Sequence, residues 1–181
     1  MAVNENARRI AELRAKPAAI AIQLVGLNFA LQAAVVTLST SGALTGFVHE
    51  TARLTHMLYR LTGVPATLIG NRIYLANIVL TINEDCAGLF VLVGYVALVV
   101  SYPASRWSFV RALGLGIPAL VAANFSRLLL VGQVLRRVPW AFDMVHDVLF
   151  RVAMVLTALL LWYVLSVREY TPWPVRRAAH R

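Results

Sequence analysis

Residues 17–40 read PAAIAIQLVGLNFALQAAVVTLST, a stretch without one charged side chain. A helix needs ~20 predominantly apolar residues to cross a bilayer. Lipid also admits only structures whose backbone polar groups are satisfied internally. Three more apolar runs follow, from about Ala87 to Tyr102, from Ala112 to Leu135 and from Asp147 to Val167. The run from Ala87 is short and borrows a turn from the loop before it. Composition agrees: 60% of the chain is hydrophobic and 14% charged, well below the ~25% charged content of a soluble domain. The expectation is an all-α integral membrane protein with about four transmembrane helices, forming a single membrane domain over residues 1–181.

Charge sets the orientation. Arg8, Arg9, Arg14 and Lys16 precede the first run, as in the n-region of a signal peptide. The run is longer than a signal h-region of ~7–15 residues, so it reads as an uncleaved anchor. With the N-terminus inside, the cytoplasmic set is Arg8, Arg9, Arg14, Lys16, Arg106, Arg111, Arg168, Arg176, Arg177 and Arg181. The outer set is Arg53, Arg60, Arg72, Arg136 and Arg137. This excess of inner cations follows the positive-inside rule. It predicts a multi-pass protein of the cell (cytoplasmic) membrane with both termini, residues 1–16 and 168–181, in the cytoplasm. The net charge of +9 is then explained by loops flanking spans, and not by a basic face for nucleic acid.

The segment 41–85 faces outward on this topology. Phe47, Leu54, Leu58 and Leu61 recur at helical spacing, which predicts an amphipathic helix along the interface. Beyond it, Gly70-Asn71 separates ATLI from RIYLANIVLTI, the pattern of a hairpin with a two-residue turn. A small β-element therefore delivers the chain to NEDCAGLF, which holds the only cysteine, Cys86.

Three residues carry candidate chemistry. Asn83 reads as an N-cap, placing Cys86 in the first turn of the second span, where helix dipole and free N–H groups favour a thiolate. Glu84 and Asp85 oppose that effect. Arg127, in ANFSRLLL, lies ~12 Å inside the outer end of its span; buried arginines in membranes face a partner or cavity, whereas the bland alternative is snorkelling. Asn124 shares its face. His146 opens the last span between Asp143 and Asp147, either of which can orient its imidazole. His49 and His56 stand two helical turns apart, too far to share a metal ion, and no metal site or cofactor is read. Each candidate alone has a structural reading: an inert membrane cysteine, a snorkelling arginine, a polar helix end. The topology, assigned without them, brings thiol, imidazole and guanidinium to the outer ends of three helices. A nucleophile, its base and a cation for an oxyanion are what acyl transfer through a thioester requires.

In this order, NEDCAGLF, ANFSRLLL and HDVLFR resemble the exosortase/archaeosortase family of membrane cysteine transpeptidases. The resemblance covers roughly residues 65–165. It maps the family's cysteine and following glycine to Cys86 and Gly88, its N-x-x-R to Asn124 and Arg127, and its last-segment histidine to His146. It implies a sortase-like enzyme whose partners are exported proteins bearing a C-terminal motif, a transmembrane helix and a basic cluster, held among membrane lipids. By the same resemblance Cys86 attacks the scissile carbonyl, His146 moves protons and Arg127 stabilises developing charge, with Gly88 leaving room for the substrate backbone. Two readings from other classes compete: a small channel or transporter subunit with Arg127 and Arg151 along an anion path, and a non-catalytic assembly factor for which Cys86 is dispensable.

Overall fold

Helix α1 runs Ala2–Thr40 in the computed structural model, which describes residues 2–75, 78–102, 106–138 and 148–167. Its uncharged part, Ala18–Thr40, is 23 residues long with mean hydropathy 1.9. The helix stops at Gly42, whose φ of 77° is open to a residue without Cβ. There the Gly42 N–H donates to the Ser39 carbonyl (3.0 Å) and the Ala43 N–H to that of Leu38 (3.0 Å), a Schellman closure.

Helix α2 (Thr45–Leu61) follows immediately. It is amphipathic as expected, but the buried stripe is a different one. Val48, Thr51, Ala52, Thr55 and Tyr59 face the protein, whereas Phe47, Leu54 and Leu61 from the expected apolar face are exposed. The β-branched and small residues let α2 sit close to its neighbours, and the larger side chains are left on the outer face.

Three antiparallel strands come next, β1 (Thr67–Ile69), β2 (Arg72–Leu75) and β3 (Ile78–Thr81), in the order β1-β2-β3. Ile69 pairs with Arg72, so Gly70-Asn71 forms the two-residue turn read from sequence. The second half of the element folds back once more, with Leu75 opposite Ile78. Folding back places Ile73, Leu75, Leu80 and Ile82, all buried, on one core, which a single longer strand cannot do.

The remaining elements are helical: α3 (Leu89–Ser101), α4 (Arg106–Arg137) and α5 (Phe150–Trp162), the last extended by a π-helical turn, Tyr163–Val167. Only Ala18–Thr40 and Trp107–Val134 are long and apolar enough to cross a membrane among the described residues. Helix α3 has 13 residues, a rise of ~20 Å against a hydrocarbon layer of ~30 Å, and the apolar helix Phe150–Ser166 is also short. The four expected apolar segments are present as helices among the described residues; two reach spanning length, and the expected count of four spans is not confirmed by them.

Helix α4 passes through two cores. One joins α2 and the sheet to Leu128 and Val131, with Cys86 at its edge. The other joins α3 and α5 to Ala112 and Leu120. A tyrosine is seated on α4 in each. Tyr95 of α3 donates to the Ala112 carbonyl (2.9 Å), and a Cβ on Gly116 would lie 1.9 Å from its hydroxyl. Tyr59 of α2 donates to the Leu128 carbonyl, and a Cβ on Gly132 would lie 2.0 Å from its hydroxyl.

Candidate active site

Cys86 stands on a single turn, residues 84–88, between the sheet and α3. The start is capped by Asn83, whose Oδ1 accepts the Cys86 N–H (2.8 Å) while its carbonyl accepts the Ala87 N–H (2.8 Å). The end is closed by Gly88 at φ 75°: its N–H donates to the Asp85 carbonyl (3.1 Å) and the Leu89 N–H to that of Glu84 (3.3 Å). This is again a Schellman pattern, requiring a left-handed residue at its last position. The capping role read for Asn83 holds, yet it serves a separate turn. Helix α3 begins only at Leu89, with Gly88 as its N-cap, so Cys86 lies before that helix and not in its first turn.

Three helices hold this turn. Asn124 of α4 donates from Nδ2 to the Cys86 carbonyl (2.9 Å). Ser39 in the last turn of α1 donates to Glu84 Oε1 (2.7 Å). Arg151 of α5 places Nη2 3.6 Å from Asp85 Oδ2. Just below, Gln32 of α1 donates to the Phe90 carbonyl (3.0 Å), with Asn28 one turn earlier on the same face. Gly88 has a further constraint: a Cβ there would fall 2.9 Å from Cγ of Asn124. The space opened by this glycine is filled by the Asn124 carboxamide, where the sequence reading had reserved it for substrate backbone.

Arg127 is 7% exposed, which rules out snorkelling. Its Nη1 makes a long contact of 3.5 Å with Asn124 Oδ1, so the asparagine touches both the guanidinium and the cysteine carbonyl. Helix α4 continues past Arg127 to Arg137, ~15 Å at ~1.5 Å per residue, and this extension carries the α2 and sheet layer. Through Asn124, Cys86 and Glu84, Arg127 is linked to the last turn of α1. It is buried by protein.

The electrostatics run against a resting thiolate. Burial, the largest influence, pushes the Cys86 thiol up; a backbone hydrogen bond with Asn83 and the charges of Arg127 and Arg151 pull it down, and Asp85 pushes it up further. The sequence reading, which expected the helix start to lower it, missed the desolvation of a residue only 3% exposed. Glu84 is held below its usual range, chiefly by the Ser39 hydroxyl. A cavity of about 200 Å³ adjoins the turn, walled by Ala87, Gly88 and Asn124, by Phe47, Glu50 and Leu54 of α2, and by Leu120 and Val121.

The structure thus brings together Cys86, Asn124 and Arg127. His146 and Asp143 lie outside the described residues. The partners of Glu84 and Asp85 were missed, because a serine at a helix end and an arginine in an apolar run announce no specific mate. Asn28 and Gln32, four apart in an uncharged span, were the legible hint that α1 packs through polar contacts.

No curated protein and no solved structure matches the chain. A family model described as transmembrane exosortase matches residues 14–163, most of the chain and all of the elements from α2 to α5. With an apolar helical bundle and a cysteine–asparagine–arginine network at one end of it, the chain belongs to the transmembrane exosortase family, whose kind of function is that of a membrane transpeptidase.

Proposed function

We propose that the chain is a cysteine transpeptidase or protease that cleaves C-terminal sorting signals of exported proteins through a thioester on Cys86. The observation that carries this reading is the suspension of Cys86 on a doubly capped turn whose carbonyl is bound by Asn124, with buried Arg127 beside that same asparagine. A nucleophile held this way loses little freedom on reaching the transition state.

The chemistry follows from the site. The thiol starts protonated because burial favours its neutral form. His146 takes that proton as the sulfur attacks the scissile carbonyl, forming the C–S bond and an oxyanion. The Arg127 guanidinium, fixed in a poorly solvated place, offsets the new charge. Collapse breaks the C–N bond, His146 returns the proton to the leaving amine, and an acyl thioester remains on Cys86. Water, a lipid or an amine then attacks the thioester and releases the thiolate, which recovers its proton.

The setting fits a substrate that is itself embedded in the membrane. The cavity beside Gly88 has mainly apolar walls suited to a substrate side chain next to the scissile bond. A larger groove of about 470 Å³ between α1, α3 and α5 reaches up to Phe90, which suits an apolar helix arriving from lipid. With the N-terminus cytoplasmic, the Cys86 end faces outward, where exported proteins emerge.

Cys86→Ala is expected to abolish processing of a co-expressed, C-terminally tagged substrate while the protein still inserts in the membrane, and wild type should yield a hydroxylamine-sensitive adduct. Processing that persists in Cys86→Ala refutes the thioester.

A further inference from the structure

The two acids before the nucleophile are out of place in a site that must develop negative charge on sulfur. Each is tied to a different helix. Glu84 accepts from Ser39 of α1; Asp85 faces Arg151 of α5 at 3.6 Å. Arg151 follows His146 by five residues in the chain.

We propose that Arg151, acting through Asp85, is a positioning residue for Cys86: the pair clamps the nucleophile's turn to α5 and thereby holds the thiol in place. This rests on the thioester reading above and adds a role that neither residue has in it. The clamp also explains why an acid is tolerated beside the nucleophile. Asp85 disfavours the thiolate and Arg151 favours it, so the two charges oppose each other at sulfur. Among the described residues, other charged or titratable groups around the turn are Glu84 on the turn itself, Arg127 from α4, Glu50 from α2 at the adjoining cavity and Tyr59 in the same core; α1 contributes the Ser39 hydroxyl.

The pair is a surface one, with side chains 60% and 49% exposed. Such pairs add little to folding, so their variants should insert and fold. Cys86 is the only thiol, which makes alkylation a site-specific readout. The full chain in lipid nanodiscs is treated with iodoacetamide across a pH series, and processing of a tagged substrate is followed in parallel. Arg151→Gln should move the alkylation profile to higher pH and slow processing about tenfold, Asp85→Asn should move the profile to lower pH, and Arg151→Lys should recover most of both. In the double variant Asp85→Asn/Arg151→Gln, processing should fall no further than in the worse single, as expected of two residues acting as one unit. Unmoved profiles overturn the proposal, whatever happens to processing; so do single effects that multiply in the double. If Cys86→Ala leaves processing intact, the thioester reading fails, yet the alkylation profiles still report on the clamp.

Discussion

The two tyrosine seats on α4 are the same local device in two settings. Tyr95 reaches the Ala112 carbonyl over Gly116, and Tyr59 reaches the Leu128 carbonyl over Gly132. In each, the acceptor is four residues before the glycine, so the hydroxyl joins a carbonyl already engaged within the helix. Both tyrosines are fully buried. Sixteen residues separate the seats, ~24 Å along the helix and ~160° around it at ~100° per residue. One therefore fixes α3 within the apolar bundle, and the other fixes the α2 and sheet layer on another face. Asn124 and Arg127 lie between them. The site is thus placed by two joints of equal form but unequal consequence: Tyr95 sits on α3, which leads directly out of the turn that bears Cys86, whereas Tyr59 sits on α2, which is joined to that turn only through the sheet.

Adding a methyl at either glycine is the strongest way to break this comparison. Gly→Ala inside an exposed helix stabilises it by ~1 kcal/mol; here the new Cβ would meet a buried ring, so Gly116→Ala and Gly132→Ala should each cost about 1–3 kcal/mol in a detergent unfolding series. The functional effects should part. Gly116→Ala displaces α3 and should abolish processing, whereas Gly132→Ala loosens the sheet layer and should leave residual processing. Equal loss in both would mean that the two joints act as one.

Between the seats, Asn124→Ala leaves the Cys86 carbonyl without its side-chain donor. Removing one partner of a buried hydrogen bond costs about 1–3 kcal/mol. The same change empties the place beside Gly88, so Gly88→Ala should be better tolerated in an Asn124→Ala background than alone, by double-mutant cycle. The strain at φ 75° persists, and recovery should be partial.

Removing only the hydroxyls is gentler. Tyr59→Phe should cost about 0.5–1.5 kcal/mol and Tyr95→Phe about 0.6 kcal/mol, as for hydrogen bonds within membrane bundles. Tyr59 adds a pH test. Its hydroxyl is pushed up to about 12 from an ordinary 10.0, mainly by burial. The unfolded chain loses that proton first, so this stabilising contribution is complete below pH 10 and declines as pH rises towards 12. Tyr59→Phe should remove that alkaline decline.

How much of this was legible depended on whether a residue's partner was local. The apolar spans, the Gly70-Asn71 turn and the cap at Asn83 are contacts between residues a few positions apart, and sequence spacing carries them. Arg127 was found because a cation in an apolar run is costly wherever it packs. The tyrosine seats were not found, since a glycine in a membrane helix is common and nothing local says which ring it receives.

The smallest effect concerns the other brace of the nucleophile's turn. Ser39→Ala removes the hydroxyl that holds Glu84 below its usual carboxylate range. A depressed carboxylate contributes stability that is present above its unfolded pKa and is lost as pH falls through the folded one. The difference between wild type and Ser39→Ala should therefore be visible at neutral pH, shrink as pH falls below the ordinary glutamate range, and disappear once Glu84 is protonated in both. Because the pair is only part-buried it should move stability by ~1 kcal/mol or less. Cys86 alkylation is the sharper measure, since α1 braces through Glu84 the same turn that α5 braces through Asp85. If Ser39→Ala accelerates alkylation while Arg151→Gln slows it, the two braces differ in kind: one restrains the turn, the other also sets the charge around the thiol.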